Sequence, residues 1–178
     1  MSASLPALAA EDHVCDACAI VYAETPVDDA VRVIAGLPDV VRGAVLAIAP
    51  EVRRVRLSPG TWSVAEYVCH LRDVYISFTI RLHRVRKEDR PAFEPMFNDL
   101  RARRFRYNDS DVGATLDEIA AAVAGFRDEV ARTGAEVWDR VGRRLPGEWR
   151  TARWLVRQAM HEGVHHLGDI RRIGEGAS

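Results

Sequence analysis

The stretch Gln158-Ala-Met-His-Glu-Gly-Val-His-His-Leu-Gly-Asp-Ile-Arg-Arg-Ile-Gly-Glu-Gly176 carries three of the six histidines of the 178-residue chain. Apolar residues recur in it at helical spacing, and Thr151 upstream is placed to cap a helix that runs to about Ile173, where the glycines stop it. His161 and His165 are four residues apart and share one helix face within chelating reach. His166 lies about a quarter turn, ~100°, away. His161-Glu162-Gly163-Val164-His165 is also the HExxH pattern of zinc peptidases. That reading fails on Arg171, which stands where the longer peptidase motif supplies a third ligand; a guanidinium stays protonated and cannot coordinate zinc. By this reading Glu162, which projects about 100° from its neighbouring ligand, belongs to the helix surface or supports the ligands.

Working upstream, Pro59-Gly60 marks a turn and Ser63-x-x-Glu66 reads as a capping box that opens a long helix with His70 in its middle. Glu66, His70, Asp73 and Ser77 share a face, with the two acids available to orient the imidazole. The segment from Val27 predicts another helix, kinked or divided at Pro38. A third runs through Asp111–Thr133 and is bounded by Gly134. Residues 96–108 form a basic segment of open structure, and 137–149 predict a short strand or an irregular connection. Four helices without alternating strands predict an all-α four-helix bundle in 27–173, preceded by a segment 1–26 and followed by a tail 174–178.

Composition is that of an ordinary globular domain, with 48% hydrophobic and 29% charged residues and a net charge of −1. Such a balance offers no general attraction to nucleic acid or anionic membrane, and neither is expected as a partner. Charge is uneven: residues 1–30 hold six acids and no basic side chain, whereas 81–106 hold nine Arg or Lys against four acids. No apolar run approaches the ~20 residues needed to span a bilayer. Without a secretory pattern at the N-terminus the expected location is the cytoplasm, with reduced thiols. Three cysteines are too few for a disulfide scaffold. Cys15-Asp-Ala-Cys18, with His13 beside it, has the spacing of half a zinc site completed by another residue or subunit, or of a redox pair; the third reading gives it no special role.

The Trp62-Ser63 helix start, the His70-Leu71 pair and the closing His161-xxx-His165-His166 helix resemble, in order and spacing, the DinB-like superfamily of damage-inducible, metal-binding proteins. The likeness spans about 27–173. It implies an up-down-down-up bundle with a long crossover, which 87–110 could supply, and metal ligands at His70, His161 and His165. It further implies a divalent metal, zinc or nickel, with a position open to water or substrate, and a possible homodimer. Some members transfer or isomerise with a low-molecular-weight thiol such as mycothiol, bacillithiol or glutathione. The implied function is a metal-dependent thiol S-transferase acting on a small molecule, with a non-catalytic bundle around a structural metal as the alternative. Arg72, Arg81 or Arg157 would clamp a carboxylate or sugar group.

Overall fold

A computed structural model describes residues 5–176 and contains five α-helices: α1 (Val27–Leu46), α2 (Val64–Lys87), α3 (Asn98–Arg104), α4 (Val112–Ala131) and α5 (Ala152–Gly176). Two short antiparallel hairpins accompany them, β1 (Val14–Cys15) with β2 (Ile20–Val21), and β3 (Val141–Arg143) with β4 (Trp149–Thr151). The four long helices form an all-α bundle, with each wall decided by a few side-chain pairs. Arg157 at the start of α5 donates to the Thr25 carbonyl just before α1, and Gly174 near the end of α5 lies against Ile48 just past α1. Those two helices therefore run parallel. Tyr75 meets Ala159 and Phe78 meets Trp154, so α2 runs against α5. Arg72 with Glu118 and Arg86 with Glu129 set α2 and α4 parallel, and Arg42 with Asp117 sets α1 against α4. The order is up-down-down-up. Because α2 and α4 run the same way, the chain must cross the bundle between them, and α3 lies on that crossover.

Local signals account for most helix ends. Ser63 accepts from the Glu66 backbone N–H while the Glu66 carboxylate accepts from that of Ser63, so the capping box is present. Asp111 caps α4, and Thr151 Oγ1 accepts from the Trp154 N–H at 3.1 Å. Two expectations need correction. Helix α1 continues through Pro38, because the buried stripe Ala30, Ile34, Leu37, Val41 and Val45 packs on both sides of it and outweighs the single lost hydrogen bond. Helix α5 extends past Ile173 to Gly176, since packing against Ile48 and Leu57 holds its last turn.

The segment before α1 is welded to the bundle. Tyr22 is fully buried in the main core, Trp154 Nε1 donates to the Ala10 carbonyl at 3.1 Å, and Arg150 donates to the carbonyls of Leu8 and Ala9. This brings Cys15 and Cys18 onto α5. In the basic stretch Phe93 and Tyr107 are buried, and Arg101 is tied to Asp73 at 2.5 Å. Among the described residues no helix is long and apolar enough to cross a membrane.

Candidate metal centres

Helix α5 presents two overlapping pairs of potential ligands, and the bundle sends them in different directions. Gly163 lies between the pairs and packs against Leu37 of α1 and Tyr75 of α2. A step of one residue is ~100°, so Glu162 and His166 turn toward α2 while His161 and His165 turn toward the N-terminal hairpin.

The first cluster joins α5 to α2. His70 Nε2 lies 3.3 Å from Glu162 Oε2, and His166 Nε2 lies 3.2 Å from the same oxygen. The three donor atoms fall within 4.8 Å of one another. His70 is buried by the edge of Trp62, 5.0 Å between ring centroids, and by His166. Asp169 Oδ2 takes the other nitrogen of His166, Nδ1, at 2.7 Å, and Gln158 Nε2 donates to Glu162 Oε1 at 2.6 Å. These outer contacts leave one imidazole nitrogen and one carboxylate oxygen directed into the cluster, as metal ligands require. Burial alone would lower the His166 pKa, yet the hydrogen bonds of Asp169 and Glu162 outweigh it and raise the group to about 9. Glu162 is pulled well below the ordinary carboxylate range: its burial opposes this, and the His166 and His70 contacts prevail. The cluster already favours positive charge. Two imidazoles and one carboxylate fit a divalent metal, and three protein ligands leave a coordination position over.

That position faces a cavity of about 520 Å³, walled by Trp62, Val74, Phe78, Met96 and Phe97 and bordered by residues 5–9 of the leader. Arg81 also lines it. This arginine is 7% exposed, lies over the rings of Phe78 and Phe93, and spends one N–H on the Glu94 carbonyl at 2.8 Å. No carboxylate among the described residues forms an ion pair with it; burial and nearby Arg144 lower its pKa to about 10, against the opposing pull of the Glu162 charge. The other two arginines expected as clamps are engaged elsewhere: Arg72 pairs with Asp73 and Glu118, and Arg157 donates to Thr25 beside a different cavity.

The second cluster joins α5 to the first hairpin. Cys15, Cys18, His161 and His165 each offer one donor atom, all within 4.8 Å of one another, with Cys15 Sγ 3.5 Å from His165 Nδ1. His13 stays outside this donor set and packs its ring at 5.3 Å from those of Tyr22 and His161.

The expected ligand set His70, His161 and His165 is therefore divided. His70 stands with Glu162 and His166, whereas His161 and His165 stand with the two cysteines. The reason is rotational: the i,i+4 rule is satisfied equally by 161/165 and 162/166, and the seating of α5 on α2 selects the latter for His70. Glu162, expected on the helix surface or as a support for the ligands, is itself one of the three donors of the first cluster. The only sequence signal for it was that second i,i+4 pair, displaced by one residue from the familiar motif.

A family model of the DinB superfamily matches residues 34–170 of the chain. The chain belongs to the DinB superfamily. Among solved structures, this DinB chain is similar to YfiT from Bacillus subtilis, described as a probable metal-dependent hydrolase with an unusual four-helix bundle topology. The two are 17% identical, with a TM-score of 0.73 over 84% of this chain and 90% of that one. At that identity the likeness establishes the shared bundle. No curated protein matches in sequence.

Proposed function

We propose that this DinB chain is a metal-dependent enzyme acting on a small carboxylate-bearing molecule, with His70, Glu162 and His166 as the metal ligands. The observation that carries the reading is the pairing of a three-donor cluster with Arg81, a buried guanidinium in no ion pair with a carboxylate among the described residues, on one cavity. A structural metal would call for a fourth protein donor and a closed shell. Here the donors face a cavity large enough for a small molecule, which favours catalysis over the structural alternative.

The preferred reaction is S-transfer: the sulfur of a low-molecular-weight thiol bonds to an electrophilic carbon of the substrate as the bond from that carbon to its leaving group breaks, and the thiol proton leaves with the displaced group. A divalent metal, zinc or nickel, would lower the pKa of a bound thiol or water so that the nucleophile is available near neutral pH. The chain's own residues do the rest. Arg81 pairs with the substrate carboxylate, a partner its planar fork suits. Asp169 holds the His166 Nδ1 proton, and Gln158 holds one Glu162 oxygen, so the cluster keeps its orientation through a turnover. Trp62, Met96, Phe97 and residues 5–9 would give the electrophile a largely apolar surround. Hydrolysis is the second reading, favoured by the description of the structural neighbour; there water is the nucleophile, and the bond broken is that from an acyl carbon to its alcohol or amine leaving group, which departs with a proton.

The test is to load the protein with zinc or nickel and follow loss of free thiol against a panel of carboxylate-bearing electrophiles, with ester and amide analogues alongside. Thiol consumption that disappears in His70→Ala and Glu162→Gln supports S-transfer. Cleavage of the analogues without thiol supports hydrolysis. A fully loaded protein inert toward both panels overturns the catalytic reading.

A further inference from the structure

We propose that Cys15, Cys18, His161 and His165 form a second metal site, a closed Cys2His2 zinc centre that fastens the N-terminal hairpin to α5. Chemistry and hydrogen bonding both point there. Two sulfur and two imidazole donors within 4.8 Å of one another match the ligand type and number of structural zinc, for which tetrahedral neighbours stand roughly 3.3–3.8 Å apart. The Cys15–His165 separation of 3.5 Å is already of that size.

His161 supplies the independent observation. Among the described residues its Nε2 is the one buried side-chain nitrogen or oxygen without a hydrogen-bond partner. Such a group costs about 1–3 kcal/mol if left so, and its partners explain why it is kept. Tyr22 Oη lies 2.6 Å from Gln158 Oε1 and 2.9 Å from His161 Nδ1. Gln158 in turn donates its Nε2 to Glu162, so its Oε1 is an acceptor and must take the single Tyr22 hydroxyl proton. The Tyr22 oxygen is then left to accept from His161 Nδ1–H. By elimination Nε2 carries the lone pair. A neutral imidazole with a fixed tautomer and an unshared lone pair is a metal ligand in waiting.

The hairpin contributes its half locally. Cys15 and Cys18 flank a tight turn that closes through Ala19 at φ 54°, and the Ile20 N–H donates to the Cys18 sulfur. Four protein donors complete a tetrahedron, and no coordination position remains for substrate. The role is structural. Because residues 5–9 of the same leader border the substrate cavity, the centre would hold that wall in place. Its ligand His161 is also linked through Tyr22 and Gln158 to Glu162, so the two clusters share one hydrogen-bonded chain.

The inference stands independently of the catalytic reading, and one experiment separates them. Protein purified under reducing conditions with zinc should hold about two equivalents per chain. Cys15→Ser and Cys18→Ser should each lose about one while keeping the other, and His70→Ala should show the converse loss. Cobalt(II) substituted into the wild type should give a near-ultraviolet thiolate-to-cobalt charge-transfer band that His70→Ala retains. The spectrum needs no cysteine variant to fold. Absence of that band in cobalt-loaded wild type overturns the centre, as does zinc content unchanged by either serine substitution. Recovery of Cys15 and Cys18 as a disulfide without zinc under the same conditions would replace it with a redox pair.

Discussion

Gly163 separates the two ligand pairs of α5, and replacing it with alanine tests the packing that orients them. On helix propensity alone Gly163→Ala should stabilise an interior position by up to about 1 kcal/mol. The tertiary structure opposes this. A Cβ at Gly163 would sit 2.6 Å from the Tyr75 hydroxyl and overlap a Leu37 methyl. Leu37 can rotate away at the cost of its packing, but Tyr75 is fully enclosed and donates to the Ala159 carbonyl at 3.1 Å. Overpacking of about 1–3 kcal/mol, added to a buried hydrogen bond worth about 1 kcal/mol, exceeds the propensity gain. The expected net destabilisation is about 2 kcal/mol, or a fall in Tm of about 4–8 °C for a chain of this length. The control is Gly36→Ala on α1, an exposed helical glycine with nothing within 4 Å of its would-be Cβ, which should hold or raise Tm. Both variants are followed by far-UV circular dichroism during heating, in chelator so that metal binding does not contribute. Equal Tm values for the two variants, or a Gly163→Ala protein as stable as wild type, would refute the claim that close approach at Gly163 seats α5.

Other consequences are more local. Burial would raise the Asp73 pKa, but the Tyr107 hydroxyl, Arg101 and Arg72 outweigh it and hold the carboxylate below its ordinary value. A depressed folded pKa gives stability that is present above the unfolded value of ~3.9 and lost as pH falls through the folded value. Asp73→Asn should therefore cost about 2–3 kcal/mol at neutral pH, given the partly exposed arginines, and flatten the acid limb of a urea-unfolding series. Tyr22→Phe removes the hydroxyl between His161 and Gln158; it should cost about 1–3 kcal/mol and weaken zinc retention ~10–100-fold in competition with a chelator. Arg81→Met replaces a buried guanidinium that makes no ion pair with a carboxylate among the described residues, so thermal unfolding should stay within about 1 kcal/mol of wild type. The same variant should keep its metal, yet raise KM for a carboxylate-bearing substrate at least ~10-fold. A parallel loss of metal would show that Arg81 supports the cluster instead.

Local chemistry was legible from the residues themselves. Ser63 and Glu66 announced the start of α2, Thr151 that of α5, and apolar periodicity gave the four long helices, because capping and amphipathic spacing depend on neighbours a turn away. Pro38 misled for the converse reason: its cost is local, whereas the packing that carries α1 through it comes from other helices. The candidate donor residues were equally legible. His70, His161, His165, Cys15 and Cys18 were each marked by spacing or by company, and each lies in a donor cluster.

What the sequence by itself determined was an all-α DinB bundle and an inventory of side chains able to bind metal. Their partition was decided only in three dimensions. The run His161-Glu162-Gly163-Val164-His165-His166 holds two i,i+4 pairs of equal merit, and one step of ~100° exchanges them. The choice between them comes from rotation of α5 as Gly163 packs against Leu37 and Tyr75, and from a leader pinned near Trp154 and Arg150. Those contacts are long-range. They turn Glu162 and His166 toward His70, and deliver His161 and His165 to two cysteines far away along the chain.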